Sequence, residues 1–212
     1  MAGGSRDVRD CWPNAMTHNT SLSLLERLRV EAAEPSDWRR FLGLYEPLLR
    51  SWLRRKEVLA SDADDIVQNV LAVVVRRLED FEHNGRIGAF RTWLRTITFN
   101  CLKEHWRSLK ANPAGVGGSD IRTLITELED PESQLSQIWN EEHDRHVMRK
   151  LLEELRDEFD PRTWLAFEKF ALEARPAAEV AKELEITPNA VFIAKSRVLS
   201  RLRQESHGLL DD

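Results

Sequence analysis

Between Gly88 and Arg107 the chain reads GAFRTWLRTITFNCLKEHWR, with aromatic side chains interleaved among arginine and lysine. On a helix advancing about 100° per residue, this stretch divides into two apolar faces. Phe90, Trp93, Leu94, Ile97 and Cys101 form a core-type stripe, while Phe99, Leu102 and Trp106 share the other side with Arg91, Arg95, Lys103 and Arg107. Aromatic rings among cations suit a groove that attracts phosphates and stacks bases. The same pattern suits a central helix buried on both sides with charged edges, so the stretch alone leaves both readings open.

Other reactive residue types are sparse. His143 and His146 lie three apart, and Cys101 and His105 four apart, spacings that can hold a metal on a helix. Neither pair has clear further ligands, so neither a metal nor any other cofactor is expected. Without a phosphate-binding glycine loop, a nucleophile elbow or paired acids outside helix caps, the chain does not read as an enzyme.

The elements that must position the basic-aromatic stretch are helical throughout. The 212 residues carry 42% hydrophobic and 32% charged side chains with a net charge of −5, a composition typical of a soluble, helix-rich protein. No apolar run approaches a membrane span. Two cysteines build no disulfide framework, which points to a cytoplasmic setting. Charge is segregated: 88–110 holds five basic residues against Glu104 alone, whereas Glu127–Asp160 is strongly acidic. That contrast suggests a basic working surface and an acidic part that avoids DNA or meets another protein.

In chain order, Met1–Asn19 has no periodicity, lacks the apolar region of a secretory signal and reads as a disordered leader. A short helix should follow Ser21. Pro35-Ser36-Asp37 should open a longer one, kinked or restarted at Pro47. Ser61-Asp62-Ala63-Asp64 has the form of a capping box starting a third helix, whose apolar stripe runs from Ile66 to Phe81. Asp62, Asp65, Gln68 and Asn69 form that helix's polar face. Asn84-Gly85 marks a turn leading into the basic-aromatic helix. The run 112–119 is a flexible linker. Asp130-Pro131 and Asp160-Pro161 each carry a helix-start signal, and Trp164, Phe167, Phe170 and Ala171 should belong to a second core.

From Glu179 to Val191 the spacing is that of a helix-turn-helix. Ala181 permits a close crossing, Ile186 plugs the turn, and Thr187 and Pro188 supply the N-cap and first position of the second helix. Val191, Ala194, Val198 and Leu202 face inward. Thr187, Asn189, Phe192, Ile193, Ser196, Arg197 and Ser200 are left for a major groove, with Arg201 and Arg203 further along for phosphates.

Taken together, Asp64-Asp65-Ile66-Val67-Gln68, Phe90-Arg91-Thr92-Trp93-Leu94-Arg95 with Asn100, a linker and a C-terminal helix-turn-helix resemble bacterial RNA polymerase sigma factors of the small extracytoplasmic-function type. The resemblance implies an all-α fold: a leader (1–19), a region 2-like helical bundle (20–110), a flexible linker (111–130), a region 4-like helix-turn-helix domain (131–206) and a tail (207–212). It implies transcription initiation. Asp62, Asp65, Gln68 and Asn69 would dock on the β′ clamp helices of core RNA polymerase. His83, Asn84, Arg86, Arg91, Arg95, Phe99, Lys103, Trp106 and Arg107 would hold the −10 element. Thr187, Asn189, Phe192, Ser196, Arg197 and Arg201 would read the −35 element while the domain sits on the β flap. The linker would thread towards the RNA exit path, and an anti-sigma protein is a further candidate partner. Under this reading the basic-aromatic helix opens the promoter. Three positions depart from the family pattern: Glu185 stands where glycine is usual in the turn, and Phe192 and Ala194 replace commonly basic residues. A helix-turn-helix regulator acting without polymerase, or a helical protein-interaction module, are the alternatives.

Overall fold

The computed structural model describes residues 23–30, 33–55, 58, 60–82, 88–110, 127, 130 and 132–210. Every regular element among them is helical: α1 (Leu24–Leu28), α2 (Pro35–Arg55), α3 (Ala60–Arg77), α4 (Ala89–Lys110), α5 (Gln134–Arg156), α6 (Pro161–Phe167), α7 (Ala177–Glu183) and α8 (Pro188–Ser206). A π-helical turn, Glu168–Leu172, extends α6. The leader, the linker core and His83, Asn84 and Arg86 lie outside the described residues.

Local chemistry explains most of the boundaries. Ser23 and Glu26 cap α1 reciprocally. Asp160 caps α6 with Pro161 at its first position, and Thr187 caps α8 with Pro188 likewise. Three expectations need correcting. α2 runs on through Pro47 without a restart, and Pro47 shares an exposed face with Gly43 one turn earlier. α3 starts at Ala60, so Ser61 and Asp64 lie inside the helix; the Asp64 carboxylate accepts from Arg50 Nε at 2.7 Å instead of capping. α5 starts three residues after Pro131, capped by Ser133, while Asp130 accepts from the Glu132 amide in the preceding turn.

α2, α3 and α4 form a bundle with α1 against α2, and α5 packs on both α2 and α4. α8 packs on α5, α6 and α7. One apolar cluster therefore runs from Leu24 through Trp52, Phe90 and Leu102 to Trp139, Leu151, Trp164, Phe167 and Val198. The second core is much smaller than expected: Val180, Ala181 and Val191, with Phe170, Leu184 and Ile186 against them. Trp164 and Phe167 join the main core because α5 lies between the two halves of the chain. Trp52 of α2 meets Trp139 of α5 edge-on, with ring centroids 4.9 Å apart.

The acidic segment also finds its partner within the molecule. Glu142 pairs with Arg55, Asp144 with Arg91, Glu154 with Arg40 and Glu158 with Arg201. His143 is buried, with Nδ1 2.9 Å from Asp144 Oδ1 and Nε2 3.4 Å from the Tyr45 hydroxyl. His146 Nε2 donates to the Leu44 carbonyl at 2.8 Å. Both histidines thus serve packing between α5 and α2, and no group of three potential metal ligands occurs among the described residues.

Candidate nucleic-acid and polymerase interface

α4 is where sequence and structure part most clearly. The Phe90, Leu94, Ile97 and Cys101 face is buried as expected, with Trp93 half-buried. The opposite face is buried too. Phe99 and Leu102 are in the core, Trp106 packs against it, and Arg95 retains 5% exposure. Arg91 Nη1 donates to Asp144 Oδ2 at 2.5 Å, which ties α4 to α5. The doubly buried reading therefore holds for Arg91, Arg95, Phe99 and Trp106. The wheel could not show it, because α5 packs on α4 from far downstream, Asp144 lying 53 residues beyond Arg91.

Burial pushes the Arg95 guanidinium below its ordinary pKa, and neighbouring Arg91 adds to the effect while Asp130 opposes it. Arg95 has no ion-pair partner among the described residues, an arrangement that costs stability.

A third stripe remains open. Thr92, Thr96, Asn100 and Arg107 are exposed, with Lys103 half-buried, at spacings of four, four, three and four residues. That periodicity places them on one side over about 22 Å of helix. Its N-terminal end borders a pocket of about 290 Å³ lined by Asp80, Phe81, Glu82, Ala89, Thr92, Trp93 and Thr96. Phe81 and Phe90 hold the Trp93 ring at centroid distances of 5.0 and 5.6 Å. At the other end a shallow cleft of about 250 Å³ joins Arg77 of α3 to Asn100, Lys103 and Arg107. The Lys103 ammonium lies over the Phe99 ring at 5.3 Å. Trp93 and Arg77 were not among the expected contacts. Trp93 sits at the edge of the core stripe, and Arg77 is remote in sequence, so only packing brings either to this surface.

On α3, Asp65, Gln68 and Asn69 are exposed as expected, whereas Asp62 is half-buried with Oδ2 3.4 Å from His105 Nε2 of α4. Burial pushes the Cys101 thiol up to about 11, with Glu104 adding to the shift, so the thiol stays protonated at neutral pH and is a poor metal ligand.

In the C-terminal half, α7 and α8 cross through Ala181 and Val191, and the intervening turn holds Glu185 at φ 54°. Thr187, Asn189, Phe192, Ser196 and Arg197 are exposed, as a reading face requires. Arg201 is not: it is engaged by Glu158 and by the buried Glu205, so it belongs to packing.

The region 41–112, from within α2 past the end of α4, matches the family model of Sigma-70 region 2. Those residues are a sigma-70 region 2, and they support a sigma-70 family RNA polymerase sigma factor as the identity of the chain. It is a transcription initiation factor whose region 2 serves RNA polymerase binding and promoter melting. No curated protein matches the chain. The sigma factor's region 2 thus contains the α3 polar face, the Trp93 pocket and the open α4 stripe on one bundle.

Proposed function

We propose that this sigma factor is of the extracytoplasmic-function type. In this reading Asp65, Gln68 and Asn69 dock on the β′ clamp helices, α4 holds the separated −10 strand, and α8 reads the −35 element with the C-terminal helices on the β flap. The observation that carries the strand assignment is the open stripe Thr92–Thr96–Asn100–Lys103–Arg107, running from an aromatic pocket to a basic cleft. A melted strand presents phosphates and base faces together; cations hold the first and a rigidly packed indole stacks on the second. A base captured at Trp93 offsets part of the cost of unstacking it. Arg91, Arg95, Phe99 and Trp106 move from strand contact to packing. His83, Asn84 and Arg86 stay assigned to the −10 element on sequence grounds alone. The domain division at 111–130, cytoplasmic and nucleoid-associated localisation, and control by an anti-sigma protein belong to the same reading.

The test is reconstitution with core polymerase. The triple variant D65A/Q68A/N69A should lose core binding in a native gel while its thermal unfolding is unchanged. K103A/R107A should bind core normally and fail to make −10 thymines reactive to permanganate. Normal strand opening by K103A/R107A would refute the stripe. Specific duplex binding by the chain without polymerase would favour the regulator instead.

A further inference from the structure

The face that α8 presents to solvent is unusual in composition. Phe192 is 50% exposed and Ile193 is 49% exposed, side by side, while Asn189, Ser196 and Arg197 surround them. Large apolar side chains left half in water lose stabilisation unless something covers them. The Phe192 ring is not loose: it stands edge-on against Phe170 at 5.3 Å and 88°, and the Lys195 ammonium caps the other ring at 5.2 Å. The charge around the patch indicates what covers it. Beside Arg201, which Glu158 and Glu205 hold in the packing, α8 carries Lys195, Arg197 and Arg203, and its one acid, Glu205, is buried, in a chain of net charge −5. A polyanion therefore fits this face, and the polyanion that also offers exposed apolar groups is duplex DNA, through the thymine C5-methyls of its major groove.

We propose that Phe192 and Ile193 are specificity-determining residues that read thymine methyl groups in the upstream promoter element, in place of the hydrogen-bonding cations a guanine-reading helix would carry. The inference rests on the reading of α8 as a major-groove helix. Burying one methyl against an apolar side chain corresponds to about fourfold in affinity per thymine.

The test uses holoenzyme assembled from core polymerase and the full chain. Upstream elements are selected from DNA randomised in that region, and each thymine of the selected element is then replaced by deoxyuridine, which removes the methyl and leaves the hydrogen-bonding edge intact. The expected result is a selected element with at least one thymine whose replacement weakens wild-type binding about fourfold and leaves F192A unaffected. I193S should behave likewise at a neighbouring thymine. Both substitutions are on the surface, so unchanged thermal unfolding will exclude misfolding. An element whose binding ignores deoxyuridine, or responds equally in wild type and F192A, overturns the methyl readout while leaving α8 as a DNA reader. If no upstream element is enriched and R197A has no effect on binding, the reading of α8 falls as well. The apolar pair would then be a protein-docking surface.

Discussion

Glu185 holds a left-handed backbone, φ 54°, in the turn that joins α7 to α8. A Cβ is strained there, so Glu185→Gly should stabilise the chain by about 1 kcal/mol, raising Tm by roughly 2–4 °C in a thermal scan. Ala174 shares the conformation, φ 54°, before α7. That strain carries no sequence signal, since alanine is ordinary in helices. Arg95 presents a similar contrast. Its wheel position reads as a phosphate contact, but it is buried beside Arg91 with its charge poorly compensated. Arg95→Met should therefore raise Tm by a few degrees and leave permanganate reactivity of the promoter intact. A loss of opening with unchanged stability would return Arg95 to the DNA.

At the scale of elements, α5 belongs to both halves of the chain. Its apolar face supplies Trp139, Val147 and Leu151 to the shared core, and its acids meet arginines of α2, α4 and α8. The ionisable groups around it make the packing sensitive to acid. Burial would raise the Glu205 carboxyl, but Arg40 and Arg201 outweigh it and hold it below the ordinary 4.5. Asp144, opposed by burial in the same way, is held below 3.8 by His143 and Arg91. Burial keeps His146 below its ordinary 6.5, with the Leu44 carbonyl opposing. All three groups bind protons more weakly folded than unfolded, so their contribution is complete at neutral pH and declines with acidification. Urea midpoints should be flat between about pH 7 and 8, fall from about pH 6.5 as the unfolded histidine protonates, and fall more steeply below about pH 4.5. Replacing His146 by glutamine should remove the first decline and keep the second.

The whole molecule packs its ends together: Arg40 of α2 bonds Glu205 of α8, and Arg27 of α1 lies 3.8 Å from the same carboxylate. A compact chain of this length has a radius of gyration of about 17 Å and so spans roughly 45 Å. Two promoter elements about 25 base pairs apart lie about 85 Å from one another along the duplex. If α4 and α8 hold those elements at once, the C-terminal helices must leave the bundle. Fluorescence transfer between dyes at Ser51→Cys and Ser200→Cys, with Cys11 and Cys101 replaced, should be high in the free chain and low in holoenzyme. Undiminished transfer in holoenzyme would exclude simultaneous contact. Arg40→Ala, which leaves the buried Glu205 with fewer partners, should lower transfer in the free chain as well.

Helix identity, the caps at Asp160 and Thr187, the α3 polar face and the crossing of α7 on α8 were legible in the sequence, because each depends on residues within a turn or two of one another. So was the family resemblance, whose region 2 motifs lie within the stretch that matches the family model. The working face of α4 was not legible. Its two apolar stripes look alike on a wheel, and what distinguishes wall from surface is α5, which returns across α4 and pairs Asp144 with Arg91. The placement of Arg77 beside Lys103 and Arg107, the retreat of Arg95 and Arg201 into the packing, and the sharing of one core by both halves follow from the same cause. Periodicity reports which residues share a face of a helix, and only the neighbouring helices decide which face meets solvent.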